Sequence, residues 1–150
     1  MDLEFGKCGF FQLLQQFRRI HWGSELEVMT QAEFMAVSAI WKAQTEHSDK
    51  PGVYVSTLAE RLMISVSMVS KMLKTLEEKG WILRTVDPSS RRNTFVSLTD
   101  TGRSLYQTES QKIMATNQRV MEKMGREKIA RLLADAEELA QCYAEELGSS

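Results

Sequence analysis

The sequence predicts a mainly α-helical chain with one small β-hairpin, and three observations support this. Apolar residues recur at helical spacing through most of the chain. Only two segments, Trp81 to Val86 and Asn93 to Leu98, are rich in β-branched and aromatic residues on either side of a polar turn. The length of 150 residues at 43% apolar content suits one compact core with helical extensions.

The first helix is expected over Cys8 to Trp22, with Phe10, Leu13, Leu14, Phe17 and Ile20 on one stripe and glutamines and arginines opposite. A second is expected over Gln31 to Glu46. Thr30 and Glu33 have capping-box spacing there, and Met29 and Phe34 can close a hydrophobic staple. Its inward positions are Phe34, Val37, Ile40 and Trp41. The run His47 to Gly52 breaks the helix, and Val53 to Val55 reads as a short extended piece.

Two short helices joined by a tight connection follow. Leu58, Ala59 and Leu62 give the first an inward face, and Thr57 with Glu60 offers a second capping box, though the helix could begin a turn earlier. Ser65 is the expected N-cap of the next, whose Val69, Met72, Leu73 and Leu76 make a core stripe. That leaves Ser67, Ser70, Lys71 and Lys74 on the free face. Small hydroxyls and lysines there can approach base edges in a major groove, and a helix N-terminus favours phosphate.

The charge distribution agrees. The whole chain carries a formal charge of -1, but Arg61 to Thr99 holds seven cations (Arg61, Lys71, Lys74, Lys79, Arg84, Arg91, Arg92) against three acids, leaving -5 for the rest. A basic middle between acidic arms suits a nucleic-acid reader. Lys79-Gly80 ends the recognition-type helix. The expected hairpin then presents Arg91 and Arg92 near its polar tip, Asp87 to Arg92, and arginines on such a ribbon fit a narrow minor groove. Helix, turn, helix and hairpin in this order predict a winged helix-turn-helix.

Over nearly its whole length the chain resembles the MarR family of bacterial transcriptional regulators. The residues that carry the resemblance are Leu58-Ala59-Glu60-Arg61-Leu62, Val69-Ser70-Lys71, Leu76-Glu77-Glu78-Lys79-Gly80-Trp81-Ile82, Arg84, Asp87 to Arg92, and Leu98-Thr99-Asp100-Thr101-Gly102. The resemblance implies that Arg92 enters the minor groove and that Ser67, Ser70, Lys71 and Lys74 lie on the recognition helix. Ser65, Arg84 and Arg91 complete the candidate DNA-binding set. Ser90 stands where the family often has an aspartate that orients the hairpin, which leaves a looser wing tip expected. Met63 stands where the family often has a small or flexible residue.

Two more helices are expected, one from the N-cap Thr99 to about Met124, where Gly125 interrupts, and one from Arg126 to about Glu146 with Ile129, Leu132, Leu133, Ala136, Leu139, Ala140, Tyr143 and Leu147 along one side. So small a domain cannot hide those faces. Paired with the first helix they suggest a homodimer, as the resemblance also implies. The expected division is residues 1–29 and 99–150 for dimerisation and 30–98 for the winged helix-turn-helix. Such a dimer would bind double-stranded DNA at near-palindromic operators, as a repressor. A winged helix used only for protein contacts is the alternative.

No nucleophile motif, phosphate loop or carboxylate pair suggests an enzyme, and His21 and His47 lack partners at ligand spacing, so no metal or other cofactor is expected. The apolar stretches are broken by charge every few residues and no signal-peptide order is seen, so no membrane span is expected and a cytoplasmic setting is. Cys8 and Cys142 form no disulfide framework. Cys8 is either a small hydrophobe or, as in some relatives that sense oxidants through a first-helix cysteine, a redox thiol. Phe17, His21, Trp22 and Trp41 are candidates to line a pocket for a small apolar or aromatic effector, or are simply core. The resemblance implies that such an effector alters the spacing of the two recognition helices.

Overall fold

The computed structural model describes residues 9–148. Among the described residues six helices and three strands follow one another as α1 (Phe10–Arg19), α2 (Gln31–Glu46), β1 (Val53–Tyr54), α3 (Val55–Leu62), α4 (Val66–Glu78), β2 (Ile82–Asp87), β3 (Ser90–Leu98), α5 (Asp100–Met124) and α6 (Arg126–Glu146), with one 3-10 turn at Trp22–Glu25. The described residues up to Ser110 form one compact unit and those from Gln111 to Gly148 another.

In the first unit, α2 begins as its caps dictate. Thr30 Oγ1 accepts from Glu33 N at 3.2 Å, and Glu33 Oε2 accepts from Thr30 N at 3.0 Å, so two orphan amides of the first turn are satisfied reciprocally. Phe34, Val37 and Ile40 are buried as expected, and so is Met29, while Trp41 is only half-buried. The core joins Val37 and Ile40 to Leu58 of α3, Val69, Leu73 and Leu76 of α4, and Ile82 and Val96 of the sheet. These side chains come from five elements, so each element is held by several others.

The sheet has strand order β1-β3-β2, all antiparallel. Val53 pairs with Val96, and Tyr54 with Phe95. The short extended piece stops one residue earlier than expected, because Val55 already belongs to α3, whose N-cap is Tyr54. The Thr57 capping box therefore does not form. Met63 ends α3 in the left-handed conformation, φ 54°, a conformation that favours glycine.

α1 ends at Arg19, short of the expected Trp22, since Ile20 is already extended. Glu109 of α5 explains how the chain then turns into α2. Its side chain is 1% exposed, and Oε2 accepts from the amides of Glu27, Val28 and Met29 at 2.9, 3.3 and 3.5 Å. One buried carboxylate thus satisfies three successive N–H groups of an irregular segment. Thr99 caps α5 as expected, accepting from Gly102 N at 3.0 Å while donating to Gly80 O at 2.7 Å.

The second unit contains the end of α5 and all of α6. Gly125, at φ 89°, separates the two helices. No residue of α6 is buried, and Leu132, Leu133, Tyr143 and Leu147 are exposed.

Candidate nucleic-acid interface

α4 is built so that one side disappears into the core and the other stays free. Ser65 Oγ accepts from Met68 N at 3.3 Å and lies 3.3 Å from Ser67 Oγ, so the Ser65 hydroxyl caps the helix. Val69, Leu73 and Leu76 are buried, and Met72 is half-buried. Ser67, Lys71 and Lys74 are exposed on the remaining surface, and Ser70 is half-buried at its edge.

Arg84 lies on β2 beside that edge. Its Nη2 donates to Ser70 O at 3.3 Å, and its Nε lies 3.3 Å from Glu77 Oε2, near enough for an ion pair but without the alignment of a hydrogen bond. Within the chain Arg84 therefore braces the hairpin against α4. Sequence spacing gives no sign of this, because Ser70 offers its backbone carbonyl rather than its side chain.

The hairpin differs from expectation. In place of a six-residue tip from Asp87 to Arg92, the turn itself is only Pro88 and Ser89, and Arg91 and Arg92 belong to β3. The register explains their exposure. Val86 pairs with Thr94 while the next residue, Asp87, pairs with Ser90, so residues 91–93 have no counterparts on β2 and bulge from the ladder. Arg91, Arg92 and Asn93 are all exposed.

Asp87 holds this arrangement together. Oδ2 accepts from Tyr54 Oη at 2.6 Å, and Oδ1 accepts from Ser89 N at 2.8 Å and Ser89 Oγ at 2.7 Å. The Tyr54 hydrogen bond and those from Ser89 hold the Asp87 carboxyl below its ordinary value, and the same Asp87 hydrogen bond raises that of Tyr54. The looser tip expected from Ser90 is replaced by an anchor three residues earlier. An aspartate two residues before a serine in a turn signals an Asx turn, but its distant tyrosine partner leaves no sequence signal.

The seven cations of the basic middle divide in two. Arg61 pairs with Glu46, Arg84 lies against Glu77, and Lys79 Nζ donates to Glu33 Oε1 at 2.5 Å while standing 4.6 Å over the Trp81 ring. Burial disfavours a charged Glu33, but the Lys79 and Thr30 hydrogen bonds outweigh it and lower its pKa. The side chains of the remaining four, Lys71 and Lys74 on α4 with Arg91 and Arg92 on the bulge, have no ion-pair or hydrogen-bonding partner among the described residues. Within this stretch the positive charge left uncompensated thus lies on α4 and on the bulge of β3.

The other expected positions lie apart from this surface. Trp22 packs edge-on to Phe34 at 6.1 Å, Phe34 against Tyr106 at 5.6 Å, and Tyr106 against Trp41 at 5.4 Å. The two tryptophans therefore end a run of rings that Phe34 and Tyr106 fill. Beside it a groove of about 280 Å³ is lined by Trp41, Gln44, Thr45, Ser48, Lys50 and Arg103. Phe17 and His21 are exposed. Cys8 lies outside the described residues, and Cys142 is an exposed free thiol. Among the described residues no three His, Cys, Asp or Glu side chains could hold a metal ion, and no helix is long and apolar enough to cross a membrane.

A helix-turn-helix backed by a third helix and followed by an antiparallel hairpin with a basic bulge is a winged helix-turn-helix. Residues 29–94 match the MarR family model. The transcriptional regulator HosA of Escherichia coli O111:H- is 29% identical over 132 residues, 87% of each chain, and HosA of strain E2348/69 is 28% identical over an equal length. The fold is shared with MepR of S. aureus in complex with DNA, at a TM-score of 0.77 and 17% identity, covering 91% of this chain and 99% of that one. A mutant MarR from E. coli complexed with operator DNA matches at 0.72 and 20% identity, covering 86% and 89%. The PcaV regulator of Streptomyces coelicolor with its natural ligand matches at 0.68 and 19% identity, covering 87% and 89%. The chain is thus similar to the MarR family over residues 29–94 and to the HosA regulators over most of its length, and it shares the fold of these solved structures.

Proposed function

We propose that the chain is a homodimeric DNA-binding repressor. α4 enters the major groove with Ser67, Ser70, Lys71 and Lys74, and the bulged wing inserts Arg92, with Arg91 beside it, into the adjacent minor groove. The observation that carries this reading is the partition of charge. Arg61, Lys79 and Arg84 are engaged in internal pairs, whereas Lys71, Lys74, Arg91 and Arg92 are not. Had the wing arginines been tied down internally, a module for protein contacts would be the better reading.

Dimerisation is supported by apolar residues exposed within one chain: Leu13, Leu14 and Phe17 of α1 and Ile20 just after it, with Leu132, Leu133 and Tyr143 of α6 and Leu147 just after it. Two-fold symmetry would make the operator a near-palindrome. A small aromatic effector would release DNA only by favouring a dimer whose recognition helices fit the groove badly. The aromatic run from Trp22 to Trp41 supports a site near α2 and the first part of α5 for such a molecule.

The test is selection of bound fragments from the source genome by the full-length protein, with sedimentation at micromolar concentration. Enrichment of a near-palindrome by a dimer is expected. A well-behaved monomer, or no enrichment over bulk DNA, overturns the reading.

A further inference from the structure

The first turn of α4 carries two apolar side chains that the core does not take. Val66 is 53% exposed and Met68 55%, on either side of Ser67. Single exposed apolar residues are ordinary on a protein surface, so their place matters more than their exposure. Val66 lies one turn before Ser70, whose carbonyl receives the Arg84 guanidinium, and so stands on the wing side. Met68 stands on the other flank, three residues before Lys71, which places the two on neighbouring positions of the exposed face. It also lies in the N-terminal turn, the part of a recognition helix that reaches base edges.

The major groove offers donors, acceptors and one apolar group, the C5-methyl of thymine. A thioether has no donor and is only a weak acceptor, so against polar base edges it would displace water without replacing its hydrogen bonds. Against a methyl group both partners leave water together, and methionine's flexible chain can adjust to reach it. We propose that Met68 is a specificity-determining residue that packs on the C5-methyl of a thymine in each half-site. This rests on the DNA-binding reading above and adds to it a base preference that the hydroxyls and lysines of the same helix do not supply.

The experiment selects duplexes from a random-sequence library with the full-length protein. Each thymine of the best duplex is then replaced in turn by deoxyuridine, which removes the methyl and leaves base pairing intact. At one thymine per half-site the wild type should lose affinity roughly fourfold, the change that about 0.8 kcal/mol of apolar burial gives at about 1.4 kcal/mol per tenfold. Met68→Gln, similar in size but polar, should bind the thymine and uracil duplexes alike at that position, and Met68→Leu should keep the discrimination. Melting curves of both variants should match wild type, since the side chain is outside the core. If no thymine is distinguished from uracil, or if Met68→Gln distinguishes them as wild type does, the assignment to Met68 fails while DNA binding stands. If no duplex is enriched at all, the DNA-binding reading fails and this one with it.

Discussion

Tyr54 and Asp87, 33 residues apart, share a 2.6 Å hydrogen bond that ties the strand opening α3 to the turn of the wing. The Tyr54 ring also stacks on Phe95 at 4.6 Å, with its plane 18° from parallel. One side chain thus holds β1 to β3 by its face and the wing turn by its hydroxyl. Because Asp87 sits at the register shift, this hydrogen bond fixes where residues 91–93 leave the ladder.

Removing only the hydroxyl separates these two functions. Tyr54→Phe keeps the stack and should lower stability, because one hydrogen bond to a charged acceptor is lost. The Asp87 carboxyl should titrate at higher pH, being held down first by Tyr54. Affinity for operator DNA should fall through a less ordered wing, with the salt dependence nearly unchanged because every cation that can meet phosphate is still present. Chemical-shift titration of Asp87, urea melts and binding against salt check all three. An unmoved Asp87 titration would show that the hydrogen bond is not made in solution.

Gly102 shows how the wing is set against α5. A Cβ at this position would lie 2.0 Å from the Trp81 carbonyl oxygen, and that carbonyl already accepts from Thr99 N at 3.0 Å. The obstacle is backbone, so no rotamer change can relieve the clash. Gly102→Ala should destabilise the chain by roughly 1–3 kcal/mol, as overpacking does, even though alanine is the better helix former. Thermal melting would decide, and a stability equal to or above wild type would contradict the close approach.

Much of this is legible in the sequence wherever the signal is local. The Thr30–Glu33 box, the Ser65 cap, the stripe of Val69, Leu73 and Leu76, and the Thr99 cap each need only residues within a turn or two, and all form. What depends on distant partners is not legible. The wing turn shortens to two residues because Asp87 is claimed by Tyr54 and Ser89, and a six-residue polar run cannot reveal that. Arg84 reads as one more free cation because its partners, Glu77 and the Ser70 carbonyl, come together only when β2 docks on α4. Trp41, expected inward on helical spacing, is half-buried, with Tyr106 of α5 packed against its ring.

The Lys79–Glu33 pair gives stability a dependence on pH. Glu33's carboxyl is lowered from its ordinary 4.5, so its contribution is complete above that value and fades as pH falls through the lowered folded-state value. Glu33→Gln retains the capping geometry, since glutamine also serves at that position, and removes only the charge. The variant should be less stable at neutral pH by at most about 1 kcal/mol, because Lys79 is partly exposed and water screens the pair. The gap should narrow as pH falls below 4.5 and close once it has passed the lowered folded-state value. Urea melts of both proteins across that range test the sign, and a gap that widens with acid would exclude this pair as its source.

The proposed DNA-binding side chains should fail in different ways when removed singly. Arg92 stands on the exposed bulge and Lys74 on the exposed face of α4, and neither side chain has a partner among the described residues. Alanine at either position should therefore leave the melting curve unchanged. Arg92→Ala should weaken operator binding by about 1–3 kcal/mol and flatten preference for A·T flanks, because a narrow A·T-rich minor groove is what favours an inserted guanidinium. Lys74→Ala should weaken all duplexes alike and reduce the slope of log affinity against log salt by about one unit for each phosphate the lysine neutralises. Operator affinity measured across salt concentrations, for duplexes with A·T and with G·C flanks, separates these effects. If both variants melt normally and keep wild-type affinity, slope and flank preference, DNA binding by this chain does not use the surface formed by α4 and the wing.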